Sequence, residues 1–190
     1  MSTKTIVSII AVILGFVIGK LAYDYFFSES DTVSFDQGDW QSRSYLDFTF
    51  EAPFELTPAD VDLPPAVKKF VSKTEMAKYD TRALSFIINR TEYIDGTPTD
   101  IDGAVRGAMA NMKLANGVTD FEYESSTANR DSLEGRSMKG TFKLKGHDTE
   151  FNGRIYKLKT RLWVLICVNL VKEENRAARE RVMKSVKLGS

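Results

Sequence analysis

The chain has 190 residues with 26 basic and 26 acidic side chains, so its formal net charge is zero. This balance argues against nucleic acid as a partner, because binding to phosphates by counterion release needs a basic field. The single cysteine excludes an internal disulfide, and the length allows one domain of about 155 residues behind a separate amino-terminal segment.

The first predicted element is an apolar helix near the amino terminus. Ile6–Ile18 is too short to cross a hydrocarbon core of about 30 Å, and this length is typical of a signal peptide. If Lys20 snorkels towards the headgroups, the aromatic residues up to Phe27 extend the helix to about 33 Å. We therefore predict an uncleaved anchor over residues 1–27, with a cleaved signal as the alternative.

The predicted anchor also suggests an orientation. Lys4 and Lys20 flank the apolar run almost evenly, but a short amino tail before a large domain favours a cytoplasmic amino terminus. We expect a single-pass protein of a bacterial inner membrane with its carboxyl-terminal domain in the periplasm.

A stripe of small residues runs along this segment. Ala11, Gly15 and Gly19 recur every four residues, and such spacing lets two membrane helices approach closely. Two explanations stand: a homodimer formed through the helix, or the ordinary abundance of glycine in membrane helices.

Residues 28–41 are polar and acidic and are predicted to be a linker.

A domain over residues 42–190 follows. The segment "YLDFTFEAPFEL" from Tyr45 alternates apolar and polar side chains, which predicts a half-buried strand that ends at Pro53. The next segment, "LPPAVKKFVSKTEMAKYD", predicts a helix, with Pro65 in its first turn and Val67, Phe70, Val71 and Thr74 on one face.

A strand and a strong helix are predicted next. Residues 82–94 are apolar and β-branched, as in a strand. The helix that begins near Ile101 has apolar side chains at i, i+3, i+4 and i+7, a capping pair of Thr99 and Asp102, and Gly117 at its end. Gly103 and Gly107 are placed to allow close packing against a sheet.

The rest of the chain predicts an antiparallel meander and a final helix. The strands are "TDFEYESS", "EGRSMKGTFKLKG", "TEFNGRIYKL" and "RLWVLICVNL". Leu162–Val168 is apolar on both faces, which predicts a central strand covered on both sides. Ala178, Val182 and Val186 recur at helical spacing after it. The predicted fold class is α+β, with a central, mostly antiparallel sheet between helices.

This order of elements resembles the PsbP-like superfamily. The residues that carry the resemblance are the aromatic strand ending at Pro53, the strand–loop–helix over 86–118, "EGRSMKGTF", and the strand and helix over 162–188. The resemblance implies a central antiparallel sheet between helices and an accessory, mostly non-enzymatic, partner-binding role. It supplies no catalytic residues, and the amino-terminal span departs from the soluble members, so their partners are not carried over.

The sequence offers weak candidates for catalysis or metal binding. His147 has Asp148 and Glu150 close by, but a zinc site needs more His or Cys ligands, and Gly146-His147-Asp148 is ordinary turn composition. Cys167 is flanked by aliphatic side chains and is predicted to be a buried hydrophobe. We therefore predict no enzyme, no metal and no cofactor.

A basic patch is the other candidate site. Lys139, Lys143 and Lys145 alternate with apolar residues along one strand, and Lys157 and Lys159 follow nearby. Near a membrane such a patch could meet anionic headgroups or an acidic partner. The alternative is a solvated face whose lysines guard against edge aggregation.

The predicted function is a membrane-anchored, non-enzymatic accessory module that binds a protein partner at or in the membrane. The alternative is a periplasmic binder of a lipid or another apolar ligand. An apolar pocket of roughly 300 Å³ or more would favour the alternative.

Overall fold

The computed structural model describes residues 38–81 and 83–189. In chain order the elements are β1 (Gln41–Tyr45), β2 (Phe48–Ala52), β3 (Thr57–Ala59), α1 (Pro65–Lys68), β4 (Val71–Asp80), β5 (Leu84–Tyr93), α2 (Ile101–Leu114), β6 (Val118–Thr127), β7 (Glu134–Leu144), β8 (His147–Leu158), β9 (Arg161–Leu170), α3 (Glu173–Ser185) and β10 (Lys187–Leu188). The predicted anchor, including Ala11, Gly15 and Gly19, lies outside these residues, as does most of the predicted linker. No helix within the described ranges is long and apolar enough to cross a membrane.

A seven-stranded antiparallel sheet forms the centre of the fold. Its strand order is β3-β4-β5-β9-β8-β7-β6, so the predicted meander from β6 to β9 occupies one half of it. The predicted central, mostly antiparallel sheet is confirmed, in a domain with more strand and less helix than an α+β pattern implies. A smaller sheet of β1, β2 and β10 joins the first described strands to the last one.

Helices and the small sheet cover opposite faces of the central sheet. On one face, α2 buries Ile101, Val105 and Met109 against inward side chains of β7, β8 and β9. On the other face, α3 buries Ala178 and Val182 with the small sheet. We call these the α2 face and the α3 face.

The central strand β9 shows why two cores form. Leu162, Val164 and Ile166 belong to the core beneath α2, whereas the alternate residues Trp163, Leu165 and Cys167 belong to the core beneath α3. All six are almost completely buried. The prediction of a central strand covered on both sides is confirmed, because successive side chains of a strand point to opposite faces.

The helix predicted from Leu63 to Asp80 is wrong. Only Pro65–Lys68 forms a helical turn, and Val71–Asp80 is the ten-residue strand β4 between β3 and β5. Ala77 and Tyr79 point to the α3 face, where the Tyr79 ring stacks on Phe54 with 4.1 Å between centroids. Non-local pairing with β5 therefore decides the structure over the local helical spacing.

Helix α2 begins and ends close to the predicted residues. Asp100, rather than Thr99, is its amino-terminal cap, since its carboxylate accepts a hydrogen bond from the backbone N–H of Asp102 at 3.0 Å. Thr99 instead donates to the carbonyl of Lys159. After the helix, Gly117 has a φ of +83°, a left-handed conformation that glycine adopts without strain.

Candidate functional site: a charged groove beside an open strand edge

A groove of about 530 Å³ opens on the α3 face where the helix no longer covers the sheet. Strands β6, β7 and β8 form its floor and α3 forms one wall. The residues around it are Glu122, Tyr123, Glu124, Lys139, Gly140, Thr141, Glu150, Phe151, Asn152, Arg179 and Glu180. We call this feature the β6 groove.

Strand register explains how residues from distant parts of the chain meet in the groove. Thr141 of β7 pairs with Glu122 on one side and with Glu150 on the other, so these three side chains form one cross-strand row. Lys139 pairs in the same way with Glu124 and Asn152, which forms the next row. The sheet therefore presents two polar rows towards α3.

A buried polar cluster joins the groove floor to α3. Arg179 Nη1 lies 2.8 Å from Glu150 Oε1 and donates to Asn169 Oδ1 at 3.0 Å. Asn169 Nδ2 and Arg176 Nε also donate to Glu150 Oε1, at 3.1 and 3.2 Å. Only 7% of the Arg179 side chain and 13% of the Glu150 side chain are exposed. The cluster therefore fixes the position of α3 over the sheet.

The cluster also sets the protonation of Glu150. Burial acts to raise the pKa of this carboxyl group, but the Asn169 hydrogen bond and the Arg179 charge outweigh it, so the pKa lies below its ordinary value. Glu150 is therefore a carboxylate at neutral pH, and Arg179 balances its charge.

Ion pairs leave one carboxylate of the groove rim without a partner among the described residues. Of the four carboxylates in the lining, Glu150 is bound by Arg179 and Arg176, Glu180 pairs with Lys184, and Glu122 and Glu124 of β6 stand at the outer edge. Lys139 Nζ lies 2.6 Å from Glu124 Oε1. Among the described residues, Glu122 has no ion-pair partner. We call Glu122 and Glu124 the carboxylate pair.

Beside the carboxylate pair, β6 forms an edge of the central sheet. Within the described residues it pairs only with β7, and of its ten residues Glu122–Thr127 pair regularly after a bulge between Thr119 and Glu122. The opposite edge strand, β3, has three residues and contains Pro58, both of which protect an edge against further pairing. Strand β6 contains neither proline nor lysine.

The ladder with β7 determines which groups of β6 point outwards. The N–H of Ala128 donates to the carbonyl of Gly135, and antiparallel pairs alternate between bonded and non-bonded residues. By this alternation, Tyr123, Ser125 and Thr127 direct their N–H and C=O groups away from β7. The outer edge of β6 therefore offers three consecutive positions for hydrogen bonding to another strand.

Aromatic side chains lie on the other face of the same edge. Phe121 packs on Phe142 and Phe151, with centroid separations of 6.0 and 5.9 Å. Tyr123 lies 6.0 Å from Phe121 and is 43% exposed. The edge thus separates an acidic face, towards the groove, from an aromatic face.

The five lysines of the predicted basic patch do not lie together. Lys139 and Lys143 lie on the α3 face, as predicted for alternating residues, but they pair with Glu124 and Asp120. Lys157 points to the α2 face and pairs with Glu134. Lys145 and Lys159 lie in the turns at opposite ends of β8.

His147 and Cys167 lie on opposite faces of the sheet. His147 is the exposed first residue of β8 and pairs with Leu144, whose side chain is in the α2 core. Cys167 is fully buried in the α3 core, where burial raises the pKa of its thiol to about 12. The two side chains therefore cannot form a nucleophile–base pair. Among the described residues, no group of three or more His, Cys, Asp or Glu side chains could hold a metal ion.

Comparisons with known proteins find similar solved structures only. No protein-family model matches the chain, and no curated protein matches it. One similar structure is LpqN of Mycobacterium tuberculosis, involved in cell envelope biogenesis, with a TM-score of 0.45 and 13% identity over 82% of this chain and 87% of that one. Another is PA94, a protein of unknown function from Pseudomonas aeruginosa, with a TM-score of 0.40 and 9% identity over 75% and 90%. The resemblance to the PsbP-like superfamily stays a prediction.

The β6 groove has no contiguous signature in the sequence. Its residues come from β6, β7, β8 and α3, and only the sheet register brings them together. One local signal was present: in "DFEYES" the acidic residues alternate with aromatic ones, which is the pattern of a strand with two chemically different faces.

Proposed function

We propose that this protein is a membrane-anchored, non-enzymatic accessory module that binds a protein partner through the β6 groove and the adjoining edge of β6. The observation that carries the proposal is the open edge of β6, regular over Glu122–Thr127, beside a charged groove. Open strand edges pair readily with other chains, and natural domains usually shorten or block them. Here the β3 edge is short and contains proline, whereas the β6 edge is long and free of it.

The anchor and location are part of the same proposal. They rest on the apolar segment up to Phe27, whose length with its aromatic flank suits a single span. A PsbP-like domain would agree with this role, since the resemblance implies accessory or partner-binding proteins.

The chemistry of the groove favours a polar partner over an apolar ligand. Ligand pockets for small apolar molecules are enclosed and lined by hydrophobic side chains. The β6 groove is open, and Glu122, Glu124, Lys139, Arg179 and Glu180 line it. A protein segment with complementary charge fits such a surface better than a lipid does.

Site-specific photo-crosslinking tests the proposal in native membranes. A benzophenone amino acid would replace Tyr123 at the edge, or Leu158 at the far end of β8 as a matched control, since both side chains are partly exposed. We expect Tyr123, but not Leu158, to give one discrete protein adduct. The adduct partner, identified by mass spectrometry and tagged, should then retrieve the unmodified chain.

Two results would count against the proposal. Equal crosslinking from both positions would mean that the β6 edge is no binding site. A bound lipid that co-purifies stoichiometrically with the protein, without a protein adduct, would favour the apolar-ligand alternative.

A further inference from the structure

We infer that the partner binds by adding an extended strand to the open edge of β6, with basic side chains that face Glu122 and Glu124. This inference rests on the proposed function and specifies the chemistry of the partner. It follows from three features of β6: the free backbone groups of its outer edge, the carboxylate pair on one face, and the aromatic side chains on the other.

The backbone of β6 supplies the hydrogen bonds for strand addition. Tyr123, Ser125 and Thr127 direct donors and acceptors outwards by the alternation described above. An added strand would use these groups while the ladder between β6 and β7 stays intact. Main-chain bonds of this kind give affinity, and side chains at alternate positions give specificity.

The two faces of β6 determine the sequence pattern of the added strand. Residues directly opposite each other in a sheet lie on the same face. Residues opposite Glu122 and Glu124 would therefore enter the β6 groove, where basic side chains would meet the carboxylate pair. The residue opposite Tyr123 would lie on the aromatic face, where an apolar side chain would extend the cluster around Phe121. The expected pattern is alternating basic and apolar residues.

The groove favours a cation over an anion at these positions. Glu122 has no ion-pair partner among the described residues, and Lys139 is the single cation beside Glu124. Arg179, the other cation of the lining, is buried and already bound to Glu150 and Asn169. An incoming lysine or arginine would therefore find Glu122 available for an ion pair and could share Glu124 with Lys139.

A second copy of β6 fits the edge poorly. Strand β6 contains Asp120, Glu122 and Glu124 but no lysine or arginine. In the antiparallel register centred on Tyr123, Glu122 of one copy would lie opposite Glu124 of the other, and like charges directly opposite destabilise a sheet. The same carboxylates that attract a basic strand thus oppose self-association.

A synthetic peptide provides a direct probe. The full-length protein in neutral detergent would be titrated with a fluorescent, end-blocked Lys-Val-Lys-Val-Lys-Val-Lys peptide, with fluorescence anisotropy as the readout. Three peptide controls separate the contributions: the same composition in blocks, a Glu-Val version, and the Lys-Val peptide methylated on the backbone nitrogens of one edge. We expect saturable binding of the alternating Lys-Val peptide and at least about tenfold weaker binding of each control.

Variants of the protein test the backbone and the side-chain contributions of β6 separately. Ser125→Pro removes one outward N–H without removing a bond to β7, and Ser125→Ala is its matched control. We expect at least about tenfold weaker peptide binding for Ser125→Pro and unchanged binding for Ser125→Ala. Glu122→Gln with Glu124→Gln should weaken binding about fivefold. Glu51→Gln with Glu55→Gln, which removes one charge on β2 and one in the loop after it, should not.

Amide hydrogen exchange gives a readout that needs no variant. On binding of the Lys-Val peptide, the amides of Tyr123, Ser125 and Thr127 should exchange at least about tenfold more slowly, while those of Glu122 and Glu124, already bonded to β7, should change little. Equal binding of the backbone-methylated peptide, or unchanged exchange at all three amides, would overturn strand addition. Concentration-dependent dimers that protect the same amides without peptide would overturn the basic partner in favour of a second copy.

The outcomes distinguish this inference from the proposed function. A protein adduct from Tyr123 that persists in the Ser125→Pro variant would leave the interaction module standing and overturn strand addition. Absence of any adduct from Tyr123 would contradict the proposed function itself.

Discussion

Replacing Arg179 by methionine should destabilise the domain by about 2–3 kcal/mol. The substitution removes the donor that lies 2.8 Å from Glu150 Oε1 and 3.0 Å from Asn169 Oδ1, and it leaves a carboxylate that is only 13% exposed. Removing one partner of a buried ion pair typically costs about 3–5 kcal/mol. We expect a loss of stability at or below the lower end of this range, because Arg176 still donates to Glu150 at 3.2 Å.

A double-mutant cycle with Glu150→Met tests the reasoning. Because the double variant leaves no buried carboxylate without its partner, it should be less destabilised than the sum of the single variants by about 1–3 kcal/mol. The free energy of unfolding would be measured by urea denaturation with tryptophan fluorescence. Lys184→Met on the same helix is the control, since that exposed i,i+4 pair with Glu180 should contribute no more than about 0.5 kcal/mol. Strict additivity, or a loss for Arg179→Met no larger than for Lys184→Met, would refute the role of the cluster.

The same cluster predicts a dependence on pH. The pKa of Glu150 is lower in the folded protein than its ordinary value of 4.5. Its contribution to stability is therefore fully present above pH 4.5 and is lost as the pH falls through the folded pKa. Glu150→Gln should accordingly flatten the loss of stability below about pH 4.5. An unchanged pH profile would contradict this assignment.

Three further predictions follow from the anchor and the core. If Ile6–Phe27 spans the bilayer as predicted, the intact protein should remain in the membrane pellet after carbonate washing, and a mature chain that begins near Lys20 or Tyr23 would contradict this. Cys167→Ser should cost about 1–3 kcal/mol in urea denaturation, since it places a hydroxyl group in an apolar core, while His147→Ala should leave stability within about 0.5 kcal/mol. Both variants should bind the partner within a few-fold of the unsubstituted chain. A chain that begins near Asp39 should fold and stay soluble and monomeric. It should bind the proposed partner much more weakly than the full-length protein, because the predicted anchor would raise the effective concentration. Equal recovery in pull-downs at the same concentration would refute the tethering argument.

The spacing of apolar residues predicts correctly those elements in which each face has the same surroundings, buried or exposed, from one end to the other. Helix α2 follows its apolar spacing because a single face packs on the sheet, and β9 follows its continuous apolar run because both faces are buried. Strand β4 was missed because Val67, Phe70, Val71 and Thr74 satisfy a helical spacing, while the pairing that makes the segment a strand comes from β5. Local pattern contains no information about such a partner.

The candidate site was harder to predict than the fold. The sequence predicts a patch of lysines as the binding site. Lys139 and Lys143 do alternate with apolar residues along β7, but these two and Lys157 each pair with a neighbouring carboxylate. The buried pair of Arg179 and Glu150 joins residues that are 29 positions apart, and neither has a distinctive local sequence. Only the packing of α3 across β8 and β9 reveals them.

The small sheet has a consequence for the order of folding. Leu188 of β10 pairs with Phe48 of β2, so this sheet cannot be completed before nearly all of the described chain is available. The meander from β6 to β9 closes short hairpins and can form early, whereas pairing across about 140 residues has a large loop-closure entropy and should form late. During synthesis, the α3 core around Phe48, Val182 and Leu188 would therefore stay open longest. In that interval the protein would be most exposed to proteases and most dependent on chaperones.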